Sequence, residues 1–153
     1  TLVVTPTREL AIQIDESFKA YGKNTELRTT VIFGGVKQFK QVNRINSGID
    51  ILVATPGRLL DLIGQGIISL SKIELFVLDE ADRMLDMGFL RDIKKILAAL
   101  PKQRQNLLFS ATFSTEIKAL ANDLLNSPSL IEVARSNSTN EAITQLMHPV
   151  DRG

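Results

Sequence analysis

Asp79, Glu80 and Asp82 follow directly on the apolar run Leu75–Leu78, and they are the residues of this 153-residue chain best placed to do chemistry. A carboxylate at a strand tip can hold Mg2+ beside the phosphates of a nucleotide, a role that suits Asp79. A second carboxylate beside it, Glu80, can orient and deprotonate an attacking water. Neighbours on a strand point opposite ways, but at a turn into a helix both can face the same side. The plainer alternative is an acidic first turn of a helix, favoured by the helix dipole. Ser110-Ala111-Thr112 puts two hydroxyls at the end of another apolar run. They suit a hydrogen-bond link to a carboxylate such as Asp82, or an ordinary ST-turn or helix cap.

A second set of residues has phosphate-contact character. Pro6-Thr7-Arg8-Glu9, Gly34-Gly35 and Thr55-Pro56-Gly57-Arg58 offer guanidinium groups, hydroxyls and bare backbone N–H groups. The glycines let a backbone approach closely, and Pro56-Gly57 is expected to force a tight turn before Arg58. Arg8 and Arg58 could equally be solvated charges opening their helices. With no aromatic residues interleaved with these loops, contact through sugar and phosphate, without sequence readout, fits better than base stacking. One phosphate device is missing from the 153 residues: no run has the form Gly-x-x-x-x-Gly-Lys-Ser/Thr, whose amides and lysine surround a nucleotide phosphate. Gly22-Lys23 is followed by Asn24 and reads as the end of a helix.

These clusters need elements to position them, and the sequence supplies an alternation. Short apolar runs at Leu2–Val4, Thr30–Phe33, Ile51–Ala54, Leu75–Leu78, Asn106–Phe109 and Leu130–Val133 read as strands. They are continuously apolar, as strands of a mostly parallel sheet covered on both faces are. Between them lie helical patterns. Arg8–Tyr21 puts Leu10, Ala11, Ile14, Phe18 and Tyr21 on one face, and Phe89–Leu100 does so with Leu90, Ile93, Ile96, Leu97 and Leu100. Ser114–Leu125 follows, with Ser114 or Thr115 as its N-cap. The expected class is a three-layer α/β domain with helices on both faces of the sheet. In such a sheet the C-terminal strand ends share one edge, so all the clusters should meet on one polar rim.

Composition narrows the field. There is no cysteine, so disulfides and thiolate metal sites are excluded, and His148 is the only histidine. Eighteen basic against seventeen acidic side chains give a formal charge of +1, so any polyanion must bind through a local patch. No apolar run approaches the roughly 20 residues of a membrane span, and no signal or transit peptide is evident. A soluble cytoplasmic protein without membrane partners is expected.

Taken in order and spacing, Pro6-Thr7-Arg8-Glu9-Leu10-Ala11, Gly34-Gly35, Thr55-Pro56-Gly57-Arg58, Asp79-Glu80-Ala81-Asp82 and Ser110-Ala111-Thr112 resemble the motifs of the DEAD-box RNA helicases. Arg83-Met84-Leu85-Asp86-Met87-Gly88-Phe89 strengthens the likeness, and the wording there looks most like the bacterial RhlE-type branch. The resemblance implies a RecA-like first motor domain over residues 1–134, cut short on its N-terminal side. Residues 135–153, Ser/Asn/Thr-rich from Ala134 to Asn140, would be a linker leading to a second domain begun at Ile143–Val150. It also implies ATP and Mg2+ as cofactors, RNA as partner, and ATP-driven unwinding of short RNA duplexes as activity. Asp79 would organise magnesium, through water, and Glu80 would activate water. Asp82, Ser110 and Thr112 would couple hydrolysis to RNA handling. Pro6, Thr7, Arg8, Glu9, Gly34, Gly35, Thr55, Pro56, Gly57 and Arg58 would hold one RNA strand by its backbone.

The opening at Thr1, without methionine and directly into a strand, leads one to expect an upstream part carrying the phosphate loop. Without that loop the chain alone is expected to bind ATP weakly and to unwind nothing. In RecA-like sheets the phosphate-loop strand lies beside the Ser-Ala-Thr strand. Gln105–Phe109 should therefore have an unpaired edge, open to self-association or to pairing with the chain's own terminus. Two other readings stand beside this one: a RecA-type nucleotide hydrolase that does not act on RNA, and a non-catalytic RNA-binding module.

Overall fold

A computed structural model describes residues 1–133. The segment expected to be a linker, the partial element at Ile143–Val150 and His148 lie outside the described residues.

Five strands form one sheet: β1 (Leu2–Val4), β2 (Thr29–Ile32), β3 (Ile51–Ala54), β4 (Leu75–Leu78) and β5 (Gln105–Leu108), in the spatial order β2-β3-β1-β4-β5. Every pairing is parallel, with Val4 opposite both Ala54 and Leu78, and Leu78 opposite Leu108. Six helices connect or follow them: α1 (Arg8–Tyr21), α2 (Phe39–Asn46), α3 (Pro56–Gly64), α4 (Ala81–Asp86), α5 (Leu90–Ala99) and α6 (Thr115–Leu124).

The strand period of two divides the sheet's residues between two cores. Leu2, Val4, Ile32, Leu52, Ala54, Phe76 and Leu78 pack with Leu59 and Leu62 of α3, Met84 of α4, Ile93 and Ile96 of α5, and Ile117 and Leu120 of α6. Val3, Val31 and Val53 face the other way, onto Ala11, Ile14 and Phe18 of α1. Helices thus lie on both faces, but unequally. Over β4 and β5 the α1 face is open: an apolar trough of about 490 Å3 is bounded by Ile14, Phe18, Val77, Leu107 and Phe109. The expectation that every strand is covered on both faces therefore fails at β5, where Gln105 and Leu107 are exposed.

Other differences are local. No strand forms at Leu130–Val133; the sheet ends at β5, and Leu130, Ile131 and Val133 are exposed. Tyr21 is 87% exposed instead of buried. It is the last residue of α1 and stands outside the stripe of Ala11, Ile14 and Phe18 that packs on the sheet. A buried Asp15 occupies that stripe, accepting from the Thr29 hydroxyl and paired with Lys19. Pro56-Gly57 is not a separate turn. Pro56 opens α3 as its first residue, where its missing N–H costs nothing, and Gly57 lies in the first helical turn. The ends expected for α1 hold, with the Thr7 hydroxyl accepting from Leu10 N–H and Gly22 N–H donating to the Phe18 carbonyl.

Candidate functional site

Parallel pairing brings the C-terminal end of every strand to one border, and hydrogen bonds lace that border together. Thr5 N–H donates to the Ala54 carbonyl, Thr55 N–H to Ile32, Asp79 N–H to Val4 and Phe109 N–H to Leu78. The strand order then sorts the loops along the rim. Gly34-Gly35 after β2, Thr55–Arg58 after β3 and Pro6–Glu9 after β1 form one half; Asp79–Asp82 after β4 and Ser110–Thr112 after β5 form the other.

In the acidic half, Glu80 is the first residue of the turn into α4 and takes φ 49°, ψ 53°, a left-handed conformation that side chains seldom adopt. Its N–H donates 3.0 Å to Asp79 Oδ1, and the next N–H, of Ala81, donates to the Phe109 carbonyl. The backbone reversal is how two consecutive carboxylates both reach the rim, each half-buried. Beyond a distant Arg83 at 4.0 Å, Glu80 has no cation beside it among the described residues. Asp82 does make the expected link, but to only one of the two hydroxyl residues. Thr112 N–H and its hydroxyl donate to Asp82 Oδ2 at 3.1 and 3.2 Å, whereas the Ser110 hydroxyl donates to the Thr112 carbonyl.

Among the described residues no group of three His, Cys, Asp or Glu side chains could cage a metal. One strand-tip carboxylate fits Mg2+ nonetheless, since that ion binds through one or two carboxylates and keeps waters and phosphate oxygens for its other positions.

In the basic half an open cavity of about 440 Å3 brings Pro6 and Arg8 together with Gly34 and with Thr55, Gly57 and Arg58. Gly35 has φ +80°, and no atom lies within 4 Å of where a Cβ would stand on Gly34, Gly35 or Gly57. All three glycines are exposed. Thr55 makes no capping hydrogen bond at the start of α3, while Thr7 spends its acceptor on α1. Glu9 is exposed in the first turn of α1.

Two sequence-derived expectations need correction here. Arg58 is not a free guanidinium: it donates to Gln41 Oε1 and the Val36 carbonyl, and pairs with Asp61. Aromatic rings are also present. Phe33, just before the glycines, lies under the Arg8 guanidinium at 4.8 Å, and Phe89 lines the same cavity. Gly88, at φ +82°, ends α4 by donating to the Leu85 carbonyl, and Phe89 N–H returns to Met84. This turn is what carries Phe89 across from β4 to the glycine loop. Gln41 and Asp61 had no sequence signal, because each is a lone residue on a helix outside the clusters, and Phe89 stood at the end of the Arg83–Phe89 run, with no site role attached.

A helix-flanked parallel sheet with split acidic and basic rim loops defines the class, and comparison defines the family. The family model for DEAD/DEAH box helicases matches residues 1–120, and the chain belongs to that family. The ATP-dependent RNA helicase DBP3 of Lodderomyces elongisporus is 43% identical over 153 residues, covering 98% of this chain and 29% of that protein. RNA helicase CrhR of Synechocystis sp. is 43% identical over 152 residues, covering 99% of the chain and 31% of the relative. The crystal structure of a hypothetical ATP-dependent RNA helicase from Sulfolobus tokodaii matches with TM-score 0.80 at 43% identity, over 84% of this chain and 38% of that one. A DEAD box protein from Methanococcus jannaschii matches equally, with TM-score 0.80 at 42% identity, over 84% of this chain and 35% of that one. The chain thus spans about a third or less of the curated relatives just named. The fold is that of the RecA-like domain of these helicases.

Proposed function

We propose that this chain is part of the first motor domain of an ATP-dependent RNA helicase, which couples ATP hydrolysis to local opening of short RNA duplexes. The observation that carries the reading is the rim itself: an acidic half and a basic half share one sheet border and are linked through backbone hydrogen bonds. Asp79 is the residue suited to hold Mg2+ through water, and the ion would neutralise charge on the transferring phosphate. Glu80 is suited to orient a water, its carboxylate being half-exposed and without a tight cation partner among the described residues. Asp82, Ser110 and Thr112 would couple hydrolysis to RNA handling, since Thr112 follows any shift of Asp82 through two hydrogen bonds.

RNA contact falls to Pro6, Thr7, Arg8, Glu9, Gly34, Gly35, Thr55, Pro56 and Gly57, through sugar and phosphate without sequence readout. Residues 1–134 would be the partial motor domain and 135–153 a linker toward a second domain. The motif wording at Arg83–Phe89 favours the RhlE-type branch, although the relatives described above carry other names. The chain alone, lacking any Gly-x-x-x-x-Gly-Lys-Ser/Thr run, is proposed to hydrolyse no ATP.

Photo-crosslinking to single-stranded RNA tests the reading. Crosslinks are expected in peptides containing Pro6–Arg8, Gly34-Gly35 and Thr55–Gly57. A nucleotide hydrolase that ignores RNA would give none.

A further inference from the structure

Gly34 and Gly35 are held at both sides by side chains that the sequence motifs do not explain together. Gln41, only 7% exposed, donates Nε2–H to the Phe33 carbonyl at 3.1 Å. Arg58, with 11% of its side chain exposed, donates to the Val36 carbonyl at 2.9 Å. The two side chains also bond each other, Arg58 to Gln41 Oε1 at 3.0 Å. Asp61 Oδ2 faces the remaining guanidinium nitrogen at 3.5 Å. The carbonyls on either side of the glycine pair are thus clamped by one connected network.

The loop needs such a clamp. Gly35 is left-handed at φ +80° and nothing packs where side chains would be, so the turn has no core of its own. Glycine also loses the most conformational freedom on being fixed. An arginine fork can grip two acceptors at once in a set geometry, which a lysine point charge cannot. By contrast Arg8 is exposed over the Phe33 ring and makes no ion pair among the described residues.

The geometry points to Gln41 and Arg58 as a positioning pair that presets the Gly34–Val36 turn for a sugar-phosphate backbone, with Arg58 acting through the loop and not on a phosphate. This deepens the proposed function and rests on its RNA-binding reading. Phosphate contact in the cavity then belongs to Arg8, to the glycine amides and to the first turn of α3.

The test combines two readouts on the full chain. Binding of a fluorescein-labelled oligouridylate is measured by anisotropy across a salt series, and backbone 15N order parameters are measured without RNA. Arg58→Lys and Gln41→Met are each expected to weaken binding roughly tenfold, as loss of a charge-assisted or buried hydrogen bond would. The salt slope should stay unchanged, and the double variant should be no worse than Arg58→Lys. Order parameters at Gly34–Val36 should fall while those of Val53 and Val77 stay high, which separates loop release from unfolding. Arg8→Gln, by contrast, should lower the salt slope by about 0.7, the value for one phosphate on a single strand. The inference is overturned if Arg58→Lys binds as the parent does while Arg58→Gln loses about 0.7 of slope, or if the order of the loop does not change. If the parent chain binds no RNA but the variants still release the loop, the RNA reading falls and the clamp stands.

Discussion

At the scale of single residues, Glu80 shows how a site residue can be strained by the place it occupies. Its left-handed backbone costs a non-glycine residue about 1–2 kcal/mol, and strain of this kind gathers where function fixes the chain. Glu80→Gly should therefore raise stability, by roughly 1 kcal/mol once the extra freedom of unfolded glycine is counted. A urea midpoint that stays put or falls would show that the strain is illusory. The Asp50 carboxyl is held below the ordinary aspartate range, chiefly by the Arg28 backbone N–H and next by the Arg28 side chain. A depressed carboxylate stabilises the fold above its unfolded pKa, and that contribution vanishes as pH falls through the folded pKa. Asp50→Asn should accordingly lower the melting temperature at neutral pH and match the parent in strong acid. A deficit independent of pH would point to packing instead.

Helices carry the next scale, and their ends matter more than their middles. Ser114 caps α6, its hydroxyl accepting from Ile117 N–H at 3.3 Å. Ser114→Ala should cost about 1 kcal/mol. Thermal unfolding reads this directly, and Ser114→Asp should restore it. The α6 cap also bears on the rim, since Thr112 precedes it by two residues and bonds Asp82. Periodicity made α1, α5 and α6 legible because each repeats its apolar positions over ten or more residues. It could not find α4, which has six residues, too few for a repeat to show. Nor could it weigh α3, hidden behind a Pro-Gly pair that signals a turn in most contexts and here opens a helix.

Over the whole molecule, the unfinished side of the sheet sets behaviour. β5 is an outer strand with no proline and no charged residue within Gln105–Leu108, and Leu107, Phe109 and Phe113 beside it are exposed. Pro128–Ile131 line a cavity along β5, but no strand forms there, so the described residues leave that edge unfilled. An uncharged open edge invites pairing with a second copy. Self-association rising with concentration is expected in sedimentation velocity, and Leu107→Lys should shift the chain toward monomer. A parent chain that sediments as a monomer at every concentration would remove this expectation.

The ordered motifs were enough by themselves to indicate the class and the family, because carboxylates, glycines and arginines at strand ends are chemistry written in residue type. The continuous apolar runs likewise announced a buried parallel sheet. Which clusters became neighbours was decided only in three dimensions. Strands numbered in chain order are shuffled to β2-β3-β1-β4-β5, and that order separates the acidic from the basic half of the rim. The part played by Arg58 was also beyond the sequence. A guanidinium binds whichever acceptors the fold brings within reach, and here those are Gln41 and the Val36 carbonyl, from a helix and a loop earlier in the chain.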